Sequence, residues 1–94
     1  MIDLERIEIQ QKLLNKTLKL ISERLYDCNV QSKLGFLICI EQEEIIYEIK
    51  KIDNVFKMID RSIDVGNYKK AIMLCCYLNN ITDKVVNIVL NYSA

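Results

Sequence analysis

Leu4, Ile7, Gln11, Leu14, Leu18, Ile21 and Leu25 step three, four, three, four along the chain, and no other local feature constrains the fold as tightly. A helix brings residues three and four apart onto one face. The stretch therefore reads as three heptads of an amphipathic helix with one polar interruption, Gln11. A second apolar set, Ile2, Ile9, Leu13 and Leu20, is spaced seven, four and seven. On a helical wheel its mean direction lies roughly 150° from the first stripe. A helix apolar on two sides cannot bury both against one neighbour. Either it lies between two layers of its own fold, or one stripe awaits a partner. Asp3 and Glu5 suit the positive end of the helix dipole, and Asp27-Cys28-Asn29 reads as a turn that closes the helix near Tyr26.

Leu34 to Ile40 is a continuous apolar run that fits a buried strand as well as a helix. No second strand of comparable quality exists to pair with it. Its flanks keep helical spacing through Val30, Leu34 and Leu37, and then through Ile45, Ile49, Ile52, Phe56, Ile59 and Ile63. The last six form a second heptad seam. Residues 31–64 are expected either as one long helix or as two broken near Asp53, whose side chain can cap the second; the break is preferred because a short chain gains by folding back. Val65-Gly66-Asn67 is the clearest punctuation, with Gly66 ending one helix and Asn67 capping the next. Tyr68, Ala71, Ile72, Cys75 and Leu78 make the next stripe. A last helix is expected from Thr82 to about Asn91, with Asn80 and Asp83 approximating a capping box; the β-branched Val85-Val86 and Ile88-Val89 leave a strand as the alternative there. The fold expected is an all-α bundle of four or five helices in one domain over 1–94, with the first helix antiparallel to the seam built on residues 45–63.

Composition decides mainly what the chain does not do. It has no histidine, so the commonest general base and metal ligand is missing. Thirteen basic and thirteen acidic groups cancel, which removes the usual charge signature of nucleic-acid or anionic-membrane binding. The cancellation is uneven, because residues 1–48 carry six basic and nine acidic groups and residues 49–94 carry seven and four. No apolar run approaches the ~20 residues that span a bilayer, and no secretory leader is visible. Fifteen isoleucines, ten lysines and eight asparagines against two alanines reflect an AT-rich coding bias.

Cys28, Cys39, Cys75 and Cys76 have neither C-x-x-C spacing nor a histidine beside them, so they are expected as reduced, mostly buried thiols of a cytosolic protein, without bound metal. A cysteine nucleophile would need a base that the chain lacks. Glu41, Glu43, Glu44 and Glu48 form one carboxylate cluster and read as a solvated acidic face, since helical di-metal sites also need histidines. Lys50-Lys51 and Lys69-Lys70 lack the glycines or aromatics of a phosphate site. Neither an enzyme nor a cofactor is expected. Tyr26, Tyr68 and Tyr92 fall near helix ends, where an amphipathic ring anchors a core or an interface.

Gly66-x-Tyr68-x-x-Ala71-Ile72, followed by Cys75 and Leu78, resembles the turn and second helix of a tetratricopeptide repeat. The preceding residues 54–64 depart from that pattern, with Val55, Met58-Ile59 and Ser62 where the repeat has its large aromatic, its Leu-Gly pair and its tyrosine; the terminal proline is also absent. The resemblance covers half of one repeat, as in the small cytosolic chaperones of type III secretion needle subunits. It implies a protein that clamps the amphipathic helix of a self-assembling partner, with Tyr68, Ile72 and Cys75 on or near the groove-lining helix.

The function expected is therefore protein binding by helix-in-groove or coiled-coil packing, most concretely a small chaperone or co-chaperone. The surface expected to carry it is Ile2, Ile9, Leu13, Leu20, Tyr68, Ile72 and Cys75, and the partner is another protein or a second copy. A bacteriocin or toxin immunity protein and a viral host-interaction protein are the alternatives of the same class. A nucleic-acid-binding regulator ranks behind them.

Overall fold

The computed structural model describes residues 4–92. They form four helices and no strand: α1 (Leu4–Leu25), α2 (Cys28–Cys39), α3 (Glu43–Asp64) and α4 (Tyr68–Asn91). The bundle is all-α, as the periodicities require. Each junction has a local cause. The Asp27 carboxylate accepts the backbone N–H groups of Asn29 and Val30 and so opens α2. Asn67 accepts from Lys70 N–H at the start of α4. Gly66, at φ 75°, closes α3 in a Schellman turn, with Asn67 N–H donating to Ser62 C=O and Gly66 N–H to Ile63 C=O.

The break between α2 and α3 falls at Ile40-Glu41-Gln42 and not near Asp53. It is a second Schellman turn, in which Gln42 N–H donates to Leu37 C=O and Glu41 N–H to Ile38 C=O. The left-handed position is held by Glu41, at φ 56°, where glycine is usual. Gln42 then caps α3 by accepting from Ile45 N–H at 2.7 Å. Asp53 lies inside α3 and pairs with Lys57 one turn on. Replacing Glu41 by glycine removes a side chain from a conformation that costs it energy. It is expected to raise stability by about 0.5–1 kcal/mol in urea unfolding, and an equal loss would show that the Glu41 side chain is needed.

The expected turn at Asn79–Thr82 does not exist, and α4 runs unbroken through it. Ala71, Cys75, Leu78, Ile81, Thr82, Val85 and Val89 continue one buried stripe across the two asparagines, which are exposed beside it, Asn79 accepting from Arg24 of α1. The β-branched residues beyond them are helical because burial along that stripe outweighs their weak strand preference. Leu34 to Ile40 is likewise helical, not strand.

Helix α4 is the centre of the molecule. It lies antiparallel to α3 and parallel to α1, which Gln11 ties to Tyr68 and Arg24 ties to Asn79 and Asp83. Helix α1 does run antiparallel to the 45–63 seam, but α4 separates the two, and α1 and α3 have no Cα atoms within 8 Å of each other. Helix α2 covers one end, against α4, α3 and the end of α1. The result is an open layer with extents of 57 × 20 × 15 Å and a radius of gyration of 15.4 Å; a compact domain of this length has about 12 Å. Because Gln11 already meets the first residue of α4, the two turns of α1 before it project past the α3–α4 turn.

Candidate functional site

Each heptad seam divides when α1 and α3 sit on either side of α4. Ile45, Ile52 and Ile59 of α3, and Leu14 and Ile21 of α1, are buried. The alternate members, Ile49, Phe56 and Ile63 on α3 and Leu18 and Leu25 on α1, are only half-buried. All of these but Leu18 line one of two separate cavities along the groove where α1 and α3 flank α4. At its wide end Leu25, Leu34, Ile38, Ile49 and Phe56 surround a cavity of about 560 Å³ with Val85 as floor. At its narrow end Gln11, Leu14, Ile63 and Tyr68 surround about 240 Å³. Gln11 to Leu25 spans 14 residues, or about 21 Å of helix. The remaining lining groups, Asn15, Ser22, Tyr26, Gln31 and Ile52, leave both cavities without a single charged residue, in a chain of which 28% is charged. Such a surface can hold an apolar helix face and offers nothing to an ion.

The residues expected to bind a partner are not gathered here. Ile9, Leu13 and Leu20 are 60%, 49% and 53% exposed, but they point away from the groove. Leu20 joins Val30, Val86 and Leu90 around a separate concavity on the other side of α1. Ile2 lies outside the described residues. Tyr68 is half-buried at the groove's narrow end, and its hydroxyl accepts a hydrogen bond from Gln11 Nε2 at 3.0 Å. Ile72 is half-buried. Cys75 cannot touch a partner at all: it is 1% exposed, on the stripe of α4 that faces the core. The groove residues of α3 were visible in the sequence as half of a heptad seam. Nothing local marks which half remains open.

The thiols reverse the expectation in the other direction. Cys28, Cys39 and Cys76 are exposed and only Cys75 is buried. Burial pushes the Cys75 thiol above its ordinary value of 9.0, and charge on the adjacent Cys76 adds to the shift. The folded chain then holds this proton when the unfolded chain has lost it, so stability should fall as pH rises past 9.0. Titration with an aromatic disulfide reagent should find three fast thiols, with the fourth reacting only on unfolding. Four fast thiols would contradict the buried placement.

The acidic cluster also divides. Glu41, Glu43 and Glu44 are exposed, whereas Glu48 is 2% exposed between α3 and α4. Its Oε1 accepts from Lys84 Nζ at 3.3 Å and lies 3.5 Å from Lys51 Nζ; Oε2 is buried with no partner. Lys51 in turn lies 4.5 Å over the Tyr47 ring. Among the described residues no cluster of His, Cys, Asp and Glu is arranged to hold a metal ion, and no helix is long and apolar enough to cross a membrane. No family model, curated protein or solved structure matches the chain.

Proposed function

We propose that the chain is a non-catalytic protein-binding module that takes one amphipathic helix of another protein into the α1–α3 groove. The observation that carries this reading is a pair of cavities between α1 and α3, one at half-buried Leu25, Ile49 and Phe56 and one at Leu14, Ile63 and Tyr68, which reach from Gln11 to Leu25 over about 21 Å by helix rise and have no charged lining residue. Together they suit a helix of about four turns, whose apolar stripe would complete the layer as a further bundle helix does. The exposed Ile9, Leu13 and Leu20 lie on the other side of α1 and take no part in this groove. A small cytosolic chaperone or co-chaperone that shields the helix of a self-assembling protein is the most concrete version, and it is the one that the resemblance of residues 66–78 to a tetratricopeptide-repeat helix suggests, although the groove lies between α1 and α3 and leaves Cys75 buried. Immunity and viral host-interaction proteins share the class, but the open apolar groove favours the chaperone.

The test uses a labelled, uncharged-faced amphipathic peptide with leucines at i, i+3, i+4 and i+7, followed by fluorescence anisotropy. Phe56→Asp places a charge on the groove wall and should weaken binding at least about tenfold, since a buried apolar side chain contributes about 1.5–3 kcal/mol. Leu20→Asp, on the other side of α1, should leave binding unchanged. Equal binding by both variants, with melting curves intact, would remove the groove from the function.

A further inference from the structure

The two ends of α3 carry complementary surfaces that cannot meet within one chain. At its N-terminal end, the apolar run of α2 buries only Leu37 completely. Ile38 turns into the groove, but Phe36 and Ile40, one turn apart and on the other side of α2, are exposed. The Phe36 ring lies 6.4 Å from that of Tyr92, so α2 and the end of α4 present one apolar knob. The next residues are the exposed Glu41, Glu43 and Glu44, and no cation occurs between Lys33 and Lys50. None of the three makes an ion pair among the described residues. The fourth carboxylate, Glu48, is turned inward and compensated.

At the other end, about 32 Å away along 21 residue steps of helix, Met58 and Val65 line a concavity of about 270 Å³. Arg61 and Lys70 stand on its rim with Ser62 and Asn67, and no carboxylate lines it. Asp60 and Asp64 belong to the same turn, but Arg61, Lys69 and Lys70 outnumber them, Lys57 being paired with Asp53. Neither Arg61 nor Lys70 has an ion pair among the described residues.

We propose that copies of this chain associate head to tail, the Phe36–Ile40 knob of one entering the Met58–Val65 socket of the next, with Glu41, Glu43 and Glu44 beside Arg61 and Lys70. A knob followed in the chain by three carboxylates, with Lys33 one turn before it, meets a socket rimmed by two cations and two polar side chains, so the opposite net charges favour this pairing over knob on knob or socket on socket. The contact is heterologous. Each added copy leaves one knob and one socket free, and assembly continues unless the rotation happens to close a ring. One small contact per copy makes the association weak, and its exposed ion pairs make it sensitive to salt. Met58 and Val65 lie on the side of α3 away from Ile49 and Phe56, so the groove stays open in the assembly.

Sedimentation velocity of the full chain over a wide concentration range tests this. The mass should rise with concentration beyond that of a dimer, and the association constant should fall at least about tenfold between low and high salt. A knob variant (Phe36→Ser with Ile40→Ser) and a socket variant (Arg61→Glu with Lys70→Glu) should each remain monomeric alone. Their equimolar mixture should form one heterodimer and nothing larger, because only one good contact remains. A wild-type chain that stays monomeric overturns the proposal. So does a discrete dimer indifferent to both variants, or capture of a basic apolar peptide by a monomer whose knob binds nothing of its own kind. Glu41→Gln, Glu43→Gln and Glu44→Gln together, which touch no apolar residue, should remove the salt dependence if the knob variant fails to fold. Binding of the amphipathic peptide in the groove should persist in every variant, which keeps the two readings separable.

Discussion

Replacing Leu78 by alanine is expected to lower the stability of the folded chain by about 2–5 kcal/mol. Leu78 is fully buried on α4, the helix that packs most extensively against the others, and it is among the largest side chains with no exposed surface. Truncation removes its transfer free energy and leaves a cavity among helices whose positions are fixed by several other contacts, so the site collapses poorly. A small domain has about 5–15 kcal/mol in total, and this one is thin in one direction, so a loss of this size consumes much of it. Urea unfolding of the variant should shift the midpoint with an unchanged slope. Leu90→Ala, on the same helix but half exposed, should cost far less. A Leu78 loss under about 1 kcal/mol would mean that α4 is not the shared core element.

The second large effect is expected with the opposite sign. Glu48 has one oxygen held by Lys84 and Lys51 and another buried without a partner. An unsatisfied buried acceptor costs about 1–3 kcal/mol, and replacing a buried ion pair by apolar groups of similar size is often neutral or stabilising by 1–4 kcal/mol. Glu48→Leu should therefore stabilise the α3–α4 interface by about 1–3 kcal/mol. Lys84→Met alone should destabilise, but only by about 1–2 kcal/mol, because the Lys84 side chain is 59% exposed and Lys51 remains beside the carboxylate. In the double variant the second change should cost nothing. Destabilisation by Glu48→Leu would show that the carboxylate contributes more than its burial costs.

The sequence showed the helices well and their ends unevenly. Gly66 and Asp27 announced their turns, because a glycine or a capping carboxylate is a local chemical requirement. Glu41 gave no such signal: a glutamate in the left-handed conformation has nothing in its identity that predicts it, and the turn exists because Leu37 and Ile45 are both fully buried on either side of it. Asn79-Asn80 gave a false one, since two asparagines on the solvent side of a helix resemble a cap until the stripe across them is known to be buried. Glu48 looked like its three neighbours and differs from them only in facing α4.

The same division applies to the groove. Helical periodicity over 4–25 and 45–63 is a property of neighbouring residues along the chain, and it determined that this protein is all-α with more apolar surface than one helix contact can cover. The placement of α4 between α1 and α3 depends on contacts between residues more than fifty positions apart, such as Gln11 with Tyr68 and Arg24 with Asp83. That placement buries Ile52 and Ile59, leaves Ile49 and Phe56 half open, and takes Cys75 out of reach. A heptad records which residues share a face, and only the neighbour that arrives decides which edge of that face it covers.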